Sequence, residues 1–230
     1  MTAEDYISGQ VLLIDKPLHW TSFQVVNKLR WELKRAFNLK KIKVGHAGTL
    51  DPLATGLLVL CTGKMTKQID TFQGQIKEYT GTFVIGSTTP SYDLETEIDA
   101  TFPTEHITQT LIQETSKQFL GAIEQFPPVF SAIKKDGKRL YEFARAGESV
   151  EIKSRTVHIS EFEIIKIEDN TVDFRVVCSK GTYIRSLAYD FGKALNSGAH
   201  LSVLRRTKIG EFEVSNAISL DNFIEQLSGK

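Results

Sequence analysis

The chain has 230 residues, enough for a sizeable core in one large domain or in two small lobes sharing one sheet, with one continuous body the favoured reading. Its 28 basic residues balance 28 acidic ones, so no overall field marks nucleic acid or a membrane surface as a partner. "MTAEDYIS" at the start lacks the apolar core of a signal peptide, and no apolar run reaches membrane-spanning length; a reduced, soluble, cytoplasmic protein is expected.

In chain order, "QVLLID" reads as a buried strand. Thr21 and Gln24 form a capping box, opening a helix that carries Val26, Leu29, Leu33 and Phe37 at helical spacing. Its polar face begins a run of local charge. Lys28, Arg30, Lys34, Arg35, Lys40, Lys41 and Lys43 stand against a single acid, Glu32. Such a run suits phosphates, although an ordinary solvated face is an equal reading from composition alone. Between Asp93 and Glu124 the balance reverses, with seven acids against Lys117.

"VGHAGTLDPLATG", residues 44 to 56, crowds His46, Thr49, Asp51 and Thr55 among Gly45, Gly48 and Gly56. Glycines suit tight turns and Pro52 pushes Asp51 toward extended backbone, so a shaped loop is expected with Asp51 at a fixed bend. "GLLVLC" then reads as a buried strand, and "KEYTGTFVIG" alternates Tyr79, Gly81, Phe83 and Ile85 as one strand face. "TEHITQTLIQETSKQFLG" reads as a helix stopping at Gly121, and residues 156 to 181 as two strands joined at Asp169 and Asn170.

Residues 125 to 151 stand apart as a hairpin insertion with paired prolines and Lys134, Lys135, Lys138, Arg139 and Arg145 among aromatics, a mixture that suits RNA backbone and unstacked bases, although a surface hairpin without function is an equal reading of these residues alone. Next comes a helix with Ile184, Leu187, Ala188, Phe191 and Leu195 on one face and Arg185 off that stripe. "HLSVLRRTKIGEF" is a further strand and "LDNFIEQL" a final short helix. Cys61 and Cys178 lie in apolar strands as small hydrophobes, and the five histidines are scattered without metal-ligand spacing. Strands mixed irregularly with helices indicate an α+β protein with a mostly antiparallel central sheet.

"GHAGTLDPLATGLLVL" resembles the central motif of the tRNA pseudouridine synthase B family. "LLIDKP", "KEYTGTFVIG", "FPPVFSAIKKDGKRLYEFAR", "CSKGTYIRSLAYDFG" and "GAHLSVLRRTKIGEF" follow the family's order, so the resemblance covers nearly the whole chain. It implies the pseudouridine synthase fold in a single catalytic domain over residues 1–230, without the C-terminal PUA-type domain of many members. It also implies isomerisation of the uridine at position 55 in the T-loop of tRNA, with neither cofactor nor metal.

The resemblance makes Asp51 the catalytic aspartate, Arg185 the arginine that pairs with it, and Tyr79 the tyrosine that stacks on the target base. An aspartate is ionised at neutral pH, and an arginine at about 4 Å would attract it by roughly 4 kcal/mol at an effective dielectric near 20, before desolvation. Tyr183 and Leu204 correspond to contacts of the flipped nucleotide, and His46 to the side chain entering the space the base vacates. The implied partner is the T-arm of tRNA, bound by a monomer without an obligate protein partner. A departure from the pattern is His19 where the family commonly has glycine. Competing readings are a non-catalytic tRNA-binding and folding module, a guide-RNA-dependent relative, and a glycoside or nucleoside hydrolase. The last normally needs a second carboxylate.

Overall fold

The computed structural model describes residues 1–228 apart from 132, 136, 147 and 149. The chain forms two compact bodies, one made of Met1–Tyr79 with Leu204–Lys230 and the other of Thr80–Val203. The elements, in chain order, are α1 (Ala3–Ser8), β1 (Val11–Lys16), α2 (Ser22–Ala36), β2 (Val44–His46), β3 (Ala54–Thr62), α3 (Ile69–Gly74) and β4 (Lys77–Ile85). They continue with β5 (Ser87–Thr88), β6 (Ala100–Thr101), α4 (Gln109–Lys117), β7 (Gly121–Gln125), β8 (Lys134–Lys135), β9 (Lys138–Arg139) and α5 (Leu140–Ala146). Last come β10 (Arg155–Glu168), β11 (Thr171–Cys178), α6 (Ile184–Ala194), β12 (Ala199–Ile209), β13 (Phe212–Glu213), β14 (Ile218–Ser219) and α7 (Leu220–Ser228). The chain passes between bodies within β4 and returns within β12.

In the first body the strand order is β14-β1-β3-β12, with β2 also paired to β3. β3 is apolar at both parities, and Leu57 to Cys61 are all fully buried, which is why it takes a central place. β1 runs antiparallel to it, Ile14 opposite Leu58, while β12 runs parallel, Leu204 opposite Ala54 and Arg206 opposite Gly56. α2 forms from the predicted capping box, Thr21 Oγ1 accepting from the Gln24 amide and the Gln24 side chain accepting from the Thr21 amide. It buries Val25, Val26, Leu29 and Leu33 with Leu58, Leu60 and Phe223. Fully buried leucines of this kind contribute about 2 kcal/mol each.

In the second body the order is β12-β4-β11-β10-β7. β10 and β11 form the predicted hairpin, with Asp169 in the left-handed region at φ 49°. α6 buries the expected stripe of Ile184, Leu187, Ala188, Phe191 and Leu195. Phe83 stacks on Phe174 at 4.1 Å between ring centres and meets Phe191 at 5.6 Å. Antiparallel pairing dominates, as the predicted α+β class requires.

Two local expectations change. The helix expected to run to Gly121 is shorter: Thr108 Oγ1 caps it by accepting from the Leu111 amide, and the helix ends at Lys117. Gly121, at φ 88°, instead opens β7, a strand the sequence reading missed because only "GAIEQ" carries it. "AEDYIS" forms α1, closed by a reciprocal Thr2–Asp5 capping box that the sequence reading also passed over.

Candidate active site

Asp51 lies in the loop between β2 and β3, which is held from several sides. Ser22 Oγ, in the first turn of α2, accepts from the Leu50 amide at 2.8 Å and donates to its carbonyl at 3.0 Å. The Ala54 amide donates to the Asp51 carbonyl at 3.0 Å, closing a turn around Pro52. Gly48 and Gly56 adopt φ of 101° and 100°, where a side chain would be strained, and a Cβ at Gly56 would collide with the Arg206 carbonyl. Gly45 sits in β2, paired with Cys61.

Two buried cations that the sequence reading did not single out complete this loop. Arg206 donates from Nε to the Leu57 carbonyl at 2.8 Å, and from its terminal nitrogens to Gly48 at 3.0 Å and Thr49 at 3.4 Å. Lys16 Nζ donates to the carbonyls of Trp20 at 2.6 Å, Pro17 at 2.9 Å and Pro52 at 3.5 Å. The same strands thus grip the backbone on both sides of Asp51.

Burial lowers the Lys16 pKa to about 8, with the Arg206 charge adding to that fall and the Asp51 charge opposing it. His46 is also pushed down, first by burial and then by Arg206, against a hydrogen bond with the Gly48 backbone. It is therefore a neutral imidazole at pH 7. Leu204 is buried in β12, and Tyr79 is buried in β4, where the neighbouring Glu78 carboxylate accepts from Thr207 Oγ1 at 2.7 Å.

In the second body Arg185 is buried although it lies off the apolar stripe of α6. Its guanidinium donates to the Ser91 carbonyl at 3.3 Å, and its Nε lies 3.6 Å from Asp93 Oδ2. Tyr183 occupies the N-cap position of α6, without a side-chain capping hydrogen bond. Gln125 fixes its backbone, accepting from the Tyr183 amide at 2.8 Å and donating to its carbonyl at 3.0 Å, while the Arg155 guanidinium sits 4.5 Å from its ring centre.

The hairpin pairs Lys134 with Arg139 and Lys135 with Lys138 through the backbone. Lys138 is exposed, its ammonium 5.6 Å from the Phe143 ring centre. The side chains of Lys134, Lys135 and Arg139 lie outside what the structure describes.

The structure thus places His46, Asp51, Tyr79 and Leu204 in the first body, with His46 and Asp51 on neighbouring parts of one tethered segment. Arg185, Tyr183 and Lys138 belong to the second. Lys16, Arg206, Ser22 and Asp93 are additions. For the two cations a signal was available: strand alternation puts Lys16 in phase with Leu12 and Ile14, and Arg206 in phase with Leu204.

A tethered aspartate loop between strands of a mostly antiparallel sheet defines a candidate enzyme site in the first body. The chain belongs to the TruB family of pseudouridylate synthases: residues 34–184 match the family's N-terminal domain, and residues 185–228 match the tRNA pseudouridylate synthase B C-terminal domain. Enzymes of this family are isomerases.

The chain is 71% identical to a tRNA pseudouridine synthase B of Flavobacterium johnsoniae, over 99% of this chain and 100% of that protein. A protein of the same name from Chloroherpeton thalassium is 51% identical, over 95% of this chain and 90% of its own length. Among solved structures, a Cbf5-Nop10-Gar1 complex gives a TM-score of 0.71 at 31% identity, covering 98% of this chain and 56% of the matched one. An H/ACA RNP bound to a substrate RNA containing 2'-deoxyuridine gives 0.69 at 29% identity, covering 96% and 53%. The chain therefore spans little more than half the length of those solved chains.

Proposed function

We propose that this enzyme converts the uridine at position 55, in the T-loop of tRNA, to pseudouridine, with Asp51 as its catalytic carboxylate. The observation that carries the reading is the Asp51 loop, its backbone fixed by Ser22, Lys16 and Arg206, in a chain similar end to end to proteins named tRNA pseudouridine synthase B. In the reaction the bond from ribose C1′ to uracil N1 breaks, the base turns, and C1′ joins C5. The C5 proton leaves to solvent and N1 gains one, so the change is an isomerisation and needs no oxidant or external group.

Base extrusion takes a few kcal/mol, and stacking on Tyr79 would return about 1 to 3 of it. Arg185 supplies the positive charge that pairs with the catalytic carboxylate, and Tyr183 and Leu204 contact the extruded nucleotide. His46 enters the vacated space; its neutrality suits it to lie among bases without a buried charge. Lys134, Lys135, Lys138 and Arg139 on the 125–151 hairpin contact the RNA backbone. The enzyme acts as a cytoplasmic monomer, without an obligate protein partner and without cofactor or metal.

The test supplies unmodified tRNA tritiated at uridine C5. Wild type should release label from the T-loop uridine alone, and Asp51→Asn should release none while binding tRNA as before. Equal release by the variant would overturn the assignment; tRNA binding without release by wild type would favour the non-catalytic module.

A further inference from the structure

The basic run between Lys28 and Lys43 has no part in the chemistry above, yet its structure is ordered toward one purpose. The inner face of α2 is spent on the core, so its outer face holds Phe23, Asn27, Trp31, Lys34 and Arg35, all exposed. The one acid of the run, Glu32, is only 2% exposed. It receives Lys28 Nζ at 2.9 Å and an Arg35 nitrogen at 2.7 Å.

Those same cations lie 5.2 Å and 5.0 Å from the ring centre of Trp31, which is itself 54% exposed. One carboxylate and one indole therefore hold two cations at the surface. The buried Glu32 needs counter-charge, and two half-exposed cations supply more positive charge than its one carboxylate, which leaves a net positive charge at the surface. Ordered side chains do lose less freedom when an anion arrives.

The positive surface continues past the helix. Lys40, Lys41 and Lys43 are exposed while Ile42 and Val44 between and after them are buried, so an extended segment presents its lysines outward as it enters β2. Arg30 joins helix to strand by donating to the Val44 carbonyl at 2.9 Å. The helix also begins at the catalytic loop, through Ser22 and Leu50, and extends about 20 Å from it at 1.5 Å per residue.

We propose that the outer face of α2 and the segment following it, from Lys28 to Lys43, is a second binding surface for the substrate RNA, gripping its sugar-phosphate backbone away from the reacting nucleotide. The inference rests on the RNA-modifying reading above. A polyanion fits because the outward charge is of one sign in a chain whose total is zero, whereas solvated faces usually mix signs. A membrane surface fits less well, since the main apolar stripe of α2 is already buried and the outer face offers Phe23 and Trp31 in place of a continuous apolar stripe.

The experiment compares wild type with a triple variant, Lys34→Glu, Lys40→Glu and Lys41→Glu, measuring tRNA affinity from low to moderate salt and single-turnover label release at saturating enzyme. Affinity should fall roughly 10- to 30-fold near 0.1 M salt, and the slope of log affinity against log salt should flatten by about 2 to 3, as expected for three lost phosphate contacts. Release at saturation should stay within twofold. The triple exchange of the same lysines to arginine should keep wild-type affinity. Unchanged affinity and slope in the glutamate variant would overturn the surface, and so would charge-dependent binding to anionic vesicles with RNA affinity untouched. Wild-type label release reports on the proposed reaction independently, so failure of one reading is distinguishable from failure of the other.

Discussion

Among the described residues, two buried arginines keep different company. Arg206 donates to carbonyl oxygens, those of Leu57, Gly48 and Thr49, at ordinary hydrogen-bond distances. Arg185 donates to the Ser91 carbonyl and also has a carboxylate beside it, that of Asp93 at 3.6 Å, beyond hydrogen-bond length. Carbonyl dipoles satisfy a guanidinium without cancelling its charge, so Arg206 still pushes down the pKa of His46 and Lys16. A carboxylate balances charge. The first arginine therefore fixes the path of a backbone, whereas the second is a charge held ready by another charge.

This contrast is sharpened first at Arg185, where the largest effect is expected. Arg185→Met should slow single-turnover label release about 10²- to 10³-fold, the scale for removing a preorganised electrostatic group, with tRNA affinity nearly unchanged. Rates within a few-fold of wild type would reduce Arg185 to a structural residue. Arg206→Met should slow release about 100-fold by a different route, since a loop carbonyl left without its donor costs about 1 to 3 kcal/mol. Denaturant unfolding would register that loss, and Arg206→Lys should restore part of both stability and rate. If stability drops and the rate at saturation does not, the tether serves the fold alone.

Asp93→Asn tests whether Arg185 depends on a charge or only on an acceptor. A drop of about tenfold in release is expected, with the Arg185 position kept by the amide oxygen. Asp93→Ala should in addition destabilise the protein, because it removes a buried carboxylate beside the guanidinium. Equal stability of wild type and the alanine variant would show that the pair is not electrostatically coupled.

The sequence revealed these two arginines unequally, for a physical reason. Arg185 stood in a motif of a recognised family, but helical periodicity placed it off the buried stripe, and the chain segment around Ser91 and Asp93 packs against it. That segment is a loop of distant sequence, and no local pattern announces where it packs. Arg206 sat in "LSVLRRTKIG", where two adjacent arginines look alike. Alternation separates them: Arg205 turns to Asp15, with nitrogens at 2.6 Å and 3.0 Å from its carboxylate, while Arg206 turns inward with Leu204. The Thr21–Gln24 cap, the β10–β11 turn and the core stripe of α6 were legible because each is written within a few residues. The carbonyl cage around Arg206 joins residues about 150 positions apart, and hydrophobic period carries no record of such a closure.

The smallest effect concerns the other cation of the loop, and it can be read as a pH dependence. Burial lowers Lys16 from its ordinary 10.5 to about 8, despite the pull of Asp51 in the other direction. Between those values the unfolded chain binds more protons than the folded one, so this group's contribution to stability is full above pH 10.5 and is lost as pH falls to about 8. The difference amounts to about 3 kcal/mol across the window. Denaturant unfolding near pH 8 and pH 9.5 should therefore show wild type gaining stability relative to Lys16→Met, and parallel curves would refute the burial. Catalysis should move the opposite way. The ammonium donates to three carbonyls around the loop, and its neutral form has one proton fewer to give, so label release should decline two- to fivefold as pH rises past about 8. In Lys16→Met the rate should be low throughout and show no break there, since the group that titrates is gone while Arg206 still holds its side of the loop.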